Sequence, residues 1–186
     1  CFESDKITHV NSKINPVEDL ETIKTEIILS DLDLIQKKLE KGKKKLLQEK
    51  EVTMLEEKLN QLNEGKEIVA KDELEKEFLS SLGLLSIKPK IIVCNVDEES
   101  LAVGNAFTDS VKKTFSNEKI VTICADIEDQ IMGLDNSERE TFMKEIGLNK
   151  TGLNQLIKEG YDLLNLDTFF TSGPEESRAW TVKKNT

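Results

Sequence analysis

Polar side chains directly follow a short apolar run near the middle of the chain. The run 91–94 (Ile-Ile-Val-Cys) is rich in β-branched residues, and Asn95-Val96-Asp97-Glu98 comes next. In open α/β sheets, ligands bind outside the carboxyl ends of the strands. An Asn carboxamide both donates and accepts hydrogen bonds, so Asn95 could meet a purine edge or tie two loops together, whereas an ionised Glu98 only accepts. The cluster is a candidate ligand loop; the alternative is a helix or turn cap.

Residues for phosphate chemistry are not found beside this cluster. The sequence has no Gly-x-x-x-x-Gly-Lys-Ser/Thr loop, because neither Gly42-Lys43 nor Gly65-Lys66 has a glycine five residues upstream. His9 is the only histidine, so no histidine-based triad can form within these residues. We expect His9 to be structural.

The cysteines are three in number, Cys1, Cys94 and Cys124, and they form no Cys-x-x-Cys pair. The odd number and wide spacing predict a reducing compartment, without a disulfide scaffold or a zinc site. Cys94 and Cys124 each close an apolar run, so we expect buried and inert thiols rather than reactive ones.

Overall charge argues against a nucleic acid or membrane partner, because the 186 residues carry a net charge of −10. No apolar run approaches the roughly 20 residues of a membrane span. A local exception is a group of lysines in the first third of the chain, which is either a solvated turn or a positive patch suited to phosphate backbones. The candidate contacts are Lys37, Lys38, Lys41, Lys43, Lys44 and Lys45.

Two amphipathic helices are predicted before the candidate loop. Apolar residues recur every three to four positions from Leu20 to Leu39 and from Val52 to Leu62. This seam is typical of a coiled coil, and the Gly- and Lys-rich stretch between the helices predicts a turn. The hairpin would pack mainly on itself. A third helix, over about 71–81, is predicted to return the chain to a globular body.

An α/β layer fold is predicted from residue 89 onward. The runs 91–94 and 120–124 resemble parallel strands buried on both faces, and helical patterns follow each of them. Two short strands are predicted near the end, with Trp180 and the Phe169-Phe170 pair as core of a sheet that the chain does not finish. The helices are predicted at about 105–115, 125–134, 137–146 and 152–164, and the late strands at 168–171 and 178–182.

Six stretches, in family order along the whole chain, resemble the YchF/Obg-like ATPase family. They are Cys-Phe-Glu-x-Asp-x-Ile-Thr-His-Val (1–10), Asn-Pro-x-x-Asp-x-Glu-Thr-Ile (15–23), Asn-Val-Asp-Glu (95–98), Cys-Ala-Asp-Ile-Glu (124–128), Gly-Tyr-Asp-Leu-Leu-Asn-Leu (160–166) and Thr-Phe-Phe-Thr-Ser-Gly-Pro-Glu-Glu-Ser-Arg-Ala-Trp-Thr-Val (168–182). The resemblance implies the C-terminal half of a Ras-like P-loop NTPase domain, with an inserted helical coiled-coil hairpin and the start of a TGS β-grasp domain.

The resemblance also implies domain boundaries. The expected parts are a nucleotide-domain segment at 1–16, the coiled-coil arm at 17–86, the second half of the nucleotide-binding domain at 87–150, a connecting helix at 151–166 and the start of the TGS domain at 167–186.

Base-binding residues follow from the same resemblance. Asn95 would contact the base, and Val96 would pack on its face. Glu98 is one methylene longer than the Asp with which typical GTPases bind guanine, so adenine is expected to be preferred. A second base loop matches Cys124, Ala125 and Asp126, although Asp126 departs from the small residue expected there.

The implied function is a cytoplasmic, ribosome-associated ATPase that acts as a nucleotide-dependent switch, with ATP and Mg²⁺ as cofactors and weaker activity on GTP. The ribosome or its RNA would be the partner; neither a membrane nor specific DNA is expected. Because the P-loop and the family's Asp-x-x-Gly are missing, we expect the middle piece of a longer protein, without metal ligands, that binds nucleotide weakly and hydrolyses nothing. The alternative is a non-enzymatic, helical-hairpin scaffold that binds RNA or the ribosome.

Overall fold

The structure is a computed structural model that describes residues 1–3, 13–42 and 47–185. His9, Leu46 and Lys43–Lys45 therefore lie outside the described residues. The chain divides into two compact units. The first, Val17–Lys88, is called the arm below. The second combines Cys1–Pro16 with Pro89–Thr186 and is called the α/β unit.

Three helices build the arm: α1 (Pro16–Gly42), α2 (Glu49–Asn63) and α3 (Glu73–Ser81). Local sequence explains where each begins. Pro16 is the first residue of α1, where its fixed φ suits a helix and its missing N–H costs nothing. Gln48 and Glu51 form a capping box at α2, and the Asp72 side chain accepts the backbone N–H of Glu75 at α3.

One apolar core joins all three helices of the arm. Its buried members are Ile35, Leu39, Leu55, Leu62, Ile68, Leu79 and Leu84. Residues of both predicted helical seams are among them, but so is Leu79 of α3. α3 has its own apolar face and buries it in the core of the arm, so this core is formed by three helices and not by the two predicted seams alone. Ile23 is exposed, since the 27 residues of α1 extend over a longer span than the 15 of α2 can cover.

Buried charged side chains link the elements around this core. Lys58 is fully buried, forms an ion pair with Glu75, and donates a hydrogen bond to the Val69 carbonyl at 2.8 Å. A second buried charge, Asp31, accepts the backbone N–H groups of Leu85 and Ser86 at 2.7 and 2.8 Å. These contacts tie α2 to α3 and α1 to the segment after α3.

The α/β unit contains two small sheets and five helices among its described residues, which confirms the predicted α/β class. Its elements are β1 (Ile91–Asn95), α4 (Glu98–Val103), α5 (Ala106–Thr114), β2 (Lys119–Ile123), α6 (Ala125–Gly133), α7 (Asn136–Glu145), α8 (Gly152–Leu163), β3 (Leu166–Ser172) and β4 (Ser177–Lys183). β1 and β2 are parallel, with Asn95 opposite Ile123, whereas β3 and β4 are antiparallel, with Phe169 opposite Trp180.

Burial in this unit differs from the prediction. Val93 in β1 is exposed, so β1 is not buried on both faces. Phe170 is 77% exposed and Trp180 is 44% exposed, so neither is a core residue here. The physical reason is the same in both places, because a two-stranded sheet has too few neighbouring elements to cover both of its faces.

Helix α4 is an element that the sequence analysis did not predict. It has six residues, too few for an apolar periodicity to be visible. No helix among the described residues has the length and apolar character needed to cross a bilayer.

Candidate base-binding site

Two loops meet where β1 and β2 end. They are 95–98 after β1 and 124–126 after β2, and we call them the base loops. The Val96 N–H donates to the Ile123 carbonyl at 2.9 Å. Asn95 Oδ1 accepts the backbone N–H of Ala125, also at 2.9 Å. Asn95 therefore ties the two loops together, which is one of the two roles considered for it from the sequence.

The residues proposed to bind a base are brought to this one edge of the sheet. Four of them are exposed, namely Asn95, Glu98, Ala125 and Asp126. Val96 and Cys124 are each 1% exposed. A base arriving at this edge would thus meet a carboxamide, carboxylates and a helix N-terminus, since Ala125 is the first residue of α6.

Asp97 performs the capping role that was the alternative interpretation of the cluster. Its side chain accepts the Ser100 N–H at 2.9 Å and begins α4. Hydrogen bonds from the Ser100 hydroxyl and backbone lower the pKa of Asp97. Because the pKa of Asp97 is lower in the folded state, its hydrogen bonds stabilise the fold at pH values above the ordinary carboxyl pKa. This stabilisation is lost as the pH falls through the lowered pKa of Asp97. Glu98 follows as the first residue of α4.

Asn105 connects residue 1, α4 and α5 by hydrogen bonds, which the sequence analysis did not predict. Its Nδ2 donates to the Cys1 carbonyl at 2.8 Å and to Ser100 Oγ at 3.1 Å, and its Oδ1 caps α5 at Thr108. The Cys1 nitrogen in turn donates to the Asn95 carbonyl at 2.8 Å. Residue 1 thus lies against β1 near the first base loop. An Asn directly before a helical pattern was the available signal.

Comparison with known proteins finds one group of relatives for this chain. The chain is 40% identical to "Ribosome-binding ATPase YchF" of Escherichia coli O157:H7 over 193 residues, and 37% identical to the protein of that name from Bacillus subtilis (strain 168) over 195 residues. These alignments include 98% and 99% of this chain. The chain is a homologue of YchF. The resemblance found in the sequence is thereby confirmed.

A solved structure leads to the same relatives. The Schizosaccharomyces pombe YchF GTPase superposes with a TM-score of 0.84 at 27% identity, over 100% of this chain and 53% of that one. The chain spans about half the length of the YchF relatives it matches, 52% and 53% for the two bacterial proteins. No family model matches the sequence.

The lysine candidates of this YchF homologue lie in the arm. Lys37, Lys38 and Lys41 line a groove of about 450 Å³ together with other residues of α1 and with Ser81 and Leu82. We call it the arm groove. Lys37 is paired there with Asp33 at 2.6 Å, and both side chains are exposed. The remaining candidates, Lys43–Lys45, are outside the described residues.

The cysteines near the base loops are poorly suited to chemistry. Cys94 and Cys124 are buried. Burial raises the pKa of the Cys94 thiol, which keeps it protonated and weakly nucleophilic. Within the described part of the chain, no group of three or more His, Cys, Asp or Glu side chains is placed to hold a metal ion.

Proposed function

We propose that these residues supply the base-binding half and the helical arm of a ribosome-associated, adenine-preferring P-loop ATPase. It would act in the cytoplasm as a nucleotide-dependent switch. The bacterial YchF relatives are named ribosome-binding ATPases, and the Schizosaccharomyces pombe YchF is named a GTPase. The proposed architecture is the second half of a Ras-like domain, an inserted coiled-coil arm and the start of a TGS domain. ATP and Mg²⁺ would be the cofactors of the whole protein. These residues alone would not catalyse hydrolysis.

The observation that carries the proposal is the joined pair of base loops. With its Oδ1 held by Ala125, Asn95 keeps a defined orientation, and its Nδ2 has no partner among the described residues. That N–H₂ group is a donor for an acceptor on a purine edge. Val96 is covered in this structure, so a base that packs on it would replace the residues that now cover it.

Base preference is proposed to come from Glu98. Guanine offers N1–H and an exocyclic amine, which a correctly placed carboxylate accepts. Glu98 starts α4 and is exposed, and its longer side chain reaches further than an Asp would from the same position. A carboxylate that overshoots leaves guanine without that pair of hydrogen bonds, so guanine loses its advantage over adenine.

A nucleotide titration tests this proposal. We expect ATP at millimolar concentration to shift the backbone amide resonances of Asn95, Glu98, Ala125 and Asp126, and GTP to shift them less. Tight binding is not expected, because phosphate contacts supply much of nucleotide affinity and the sequence has no P-loop. The matched control is Asp129→Asn, an exposed change in α6 outside the loops. A folded chain whose loop resonances ignore both nucleotides would contradict the proposal, and ATP turnover by these 186 residues would contradict its non-catalytic part.

The second candidate is an RNA- or ribosome-binding scaffold without enzymatic activity, and the arm groove favours it. Three lysines along α1 face a common groove, in a protein whose net charge is −10. Clustered lysines attract phosphate backbones, and this attraction weakens as salt displaces the counterions. The two candidates are compatible if the arm is the ribosome-binding part of the proposed switch.

Charge reversal in the arm groove tests this contact. We expect Lys37→Glu, Lys38→Glu and Lys41→Glu together to abolish co-sedimentation with ribosomes. Wild-type binding should fall steeply between about 50 and about 200 mM salt, by roughly tenfold for every two phosphates that the protein neutralises. The control carries the same charge change at three exposed lysines of the α/β unit, Lys113, Lys144 and Lys150. Equal weakening in both triple variants would show that net charge, not the groove, governs binding.

A further inference from the structure

The N-terminus of α8 lies unusually close to the end of β2. The Gly152 N–H donates to Glu128 Oε1 at 2.6 Å. A Cβ atom at position 152 would lie 2.8 Å from Ile123 Cγ2 and 3.0 Å from Glu128 Oε1. The φ angle of Gly152 is not positive, so its backbone conformation does not require glycine. The close approach does, because any side chain would push Ile123 and Glu128 away.

Ile123 and Glu128 are both connected to the base loops. The Ile123 carbonyl accepts the Val96 N–H of the first loop, and Cys124 of the second loop comes next in the chain. Glu128 lies in the first turn of α6, and its backbone N–H donates to the Cys124 carbonyl at 3.0 Å. A displacement of Ile123 therefore reaches both loops, through one hydrogen bond and one peptide bond, and a displacement of Glu128 reaches the second loop through one hydrogen bond.

The carboxylate of Glu128 has a clear physical role at this contact. A helix N-terminus carries unpaired N–H groups and partial positive charge. At the N-terminus of α8, the Thr151 hydroxyl oxygen accepts the Asn154 N–H at 3.1 Å, and the Glu128 carboxylate accepts the Gly152 N–H. The second loop and its helix are thus fastened to α8 by a charge-assisted hydrogen bond rather than by apolar packing alone.

We propose that Glu128 and Gly152 are positioning residues for the base loops. The close contact fixes Ile123, and the hydrogen bond fixes the first turn of α6, so that Asn95 and Ala125 keep their 2.9 Å hydrogen bond. The proposed effect on the geometry of the base loops follows from these contacts alone. Its consequence for a purine ligand rests on the proposed function.

Variants of the two residues test this inference, with Gly160→Ala as the matched control. Gly160 lies in the same helix, and a Cβ there would meet nothing within 4 Å. For Gly152→Ala we expect amide hydrogen exchange at Val96 and Ala125 to become about tenfold faster, and ATP binding, measured by amide shifts, to weaken about tenfold. Gly160→Ala should change neither quantity.

Glu128 supplies a second and independent comparison. Glu128→Ala should also loosen the Ala125 amide and weaken ATP binding, since it removes the acceptor for the Gly152 N–H. Glu128→Gln should recover much of both, because its carbonyl oxygen can still accept that hydrogen bond. Should Gly152→Ala fail to fold, this pair alone decides the question.

The outcomes separate the two claims. Faster exchange in Gly152→Ala and Glu128→Ala, without ATP binding by the wild type, would support the positioning role and defeat the proposed function. Unchanged exchange at Val96 and Ala125 in both variants would overturn the positioning role, whether or not ATP binds. Equal effects of Gly152→Ala and Gly160→Ala would overturn it as well.

Discussion

Replacing Lys58 with Met is expected to lower the free energy of unfolding of the arm by about 3–5 kcal/mol, the range found when one partner of a buried ion pair is removed. Lys58 is 0% exposed and forms its ion pair with Glu75 between α2 and α3. Its removal would leave a buried carboxylate without its cation and the Val69 carbonyl without its donor. Urea unfolding followed by circular dichroism at 222 nm measures the change.

Two further variants test whether the loss of stability in Lys58→Met arises because the ion pair is buried. Glu57→Ala breaks the exposed ion pair with Lys71, which has the same chemistry, and should lower the free energy of unfolding far less than Lys58→Met does. The double variant Lys58→Met with Glu75→Leu should recover most of the stability, since an apolar pair of similar volume avoids the desolvation of both charges. A Lys58→Met effect no larger than that of Glu57→Ala would contradict the structural role assigned to the pair.

The second large effect is expected at Asp31. Its two carboxylate oxygens accept the N–H groups of Leu85 and Ser86, and the residue is buried. Asp31→Ala would leave both donors unpaired, at a cost of about 3 kcal/mol for two hydrogen bonds to a charged acceptor. Asp31→Asn should be less destabilising, because one amide oxygen can still accept.

Asp33 is the matched control on the same helix. Its carboxylate is exposed and pairs with Lys37, so Asp33→Ala should cost less than about 0.5 kcal/mol. Exchange of the Leu85 and Ser86 amides offers a local measurement beside urea unfolding, and both should become faster in Asp31→Ala. Unchanged exchange at these two amides would show that Asp31 does not hold this segment.

The chain has one tryptophan whose fluorescence reports on a part of the α/β unit in such experiments. Trp180 is the only tryptophan, and it lies in β4 of the α/β unit. The arm has no tryptophan but three helices. The circular dichroism signal at 222 nm comes mainly from helices, which occur in both units. Tryptophan fluorescence reports the β3–β4 hairpin alone. A change in circular dichroism without a change in tryptophan fluorescence therefore indicates that the β3–β4 hairpin is unaffected.

Much of the local structure could be predicted from sequence. Periodicity from Val52 to Leu62 predicted α2, and the β-branched runs predicted β1 and β2, because spacing and side-chain shape act over a few residues. The quoted family stretches predicted the relatives that the comparisons found. Asn95 was identified as a residue able to tie two loops, since its carboxamide and its place after a strand were visible in the sequence.

Other features depend on contacts between distant residues. Lys58 resembles any lysine of a charged helix face until Glu75 and Val69 are brought to it by the fold. Asp31 meets its two donors more than 50 positions later in the chain. Gly152 is an ordinary glycine near a helix start, and only the position of Ile123 shows why a side chain is excluded.

The sequence by itself therefore determined the elements other than α4, their order and the candidate loop at 95–98, because these follow from neighbouring residues. The tertiary structure decided which charges are buried, which aromatic residues remain exposed and which glycine is a contact point. It also decided that Asn95 is held by Ala125 across 30 positions. Burial and close approach are properties of pairs of elements, and a single amphipathic or apolar run contains no record of its partner.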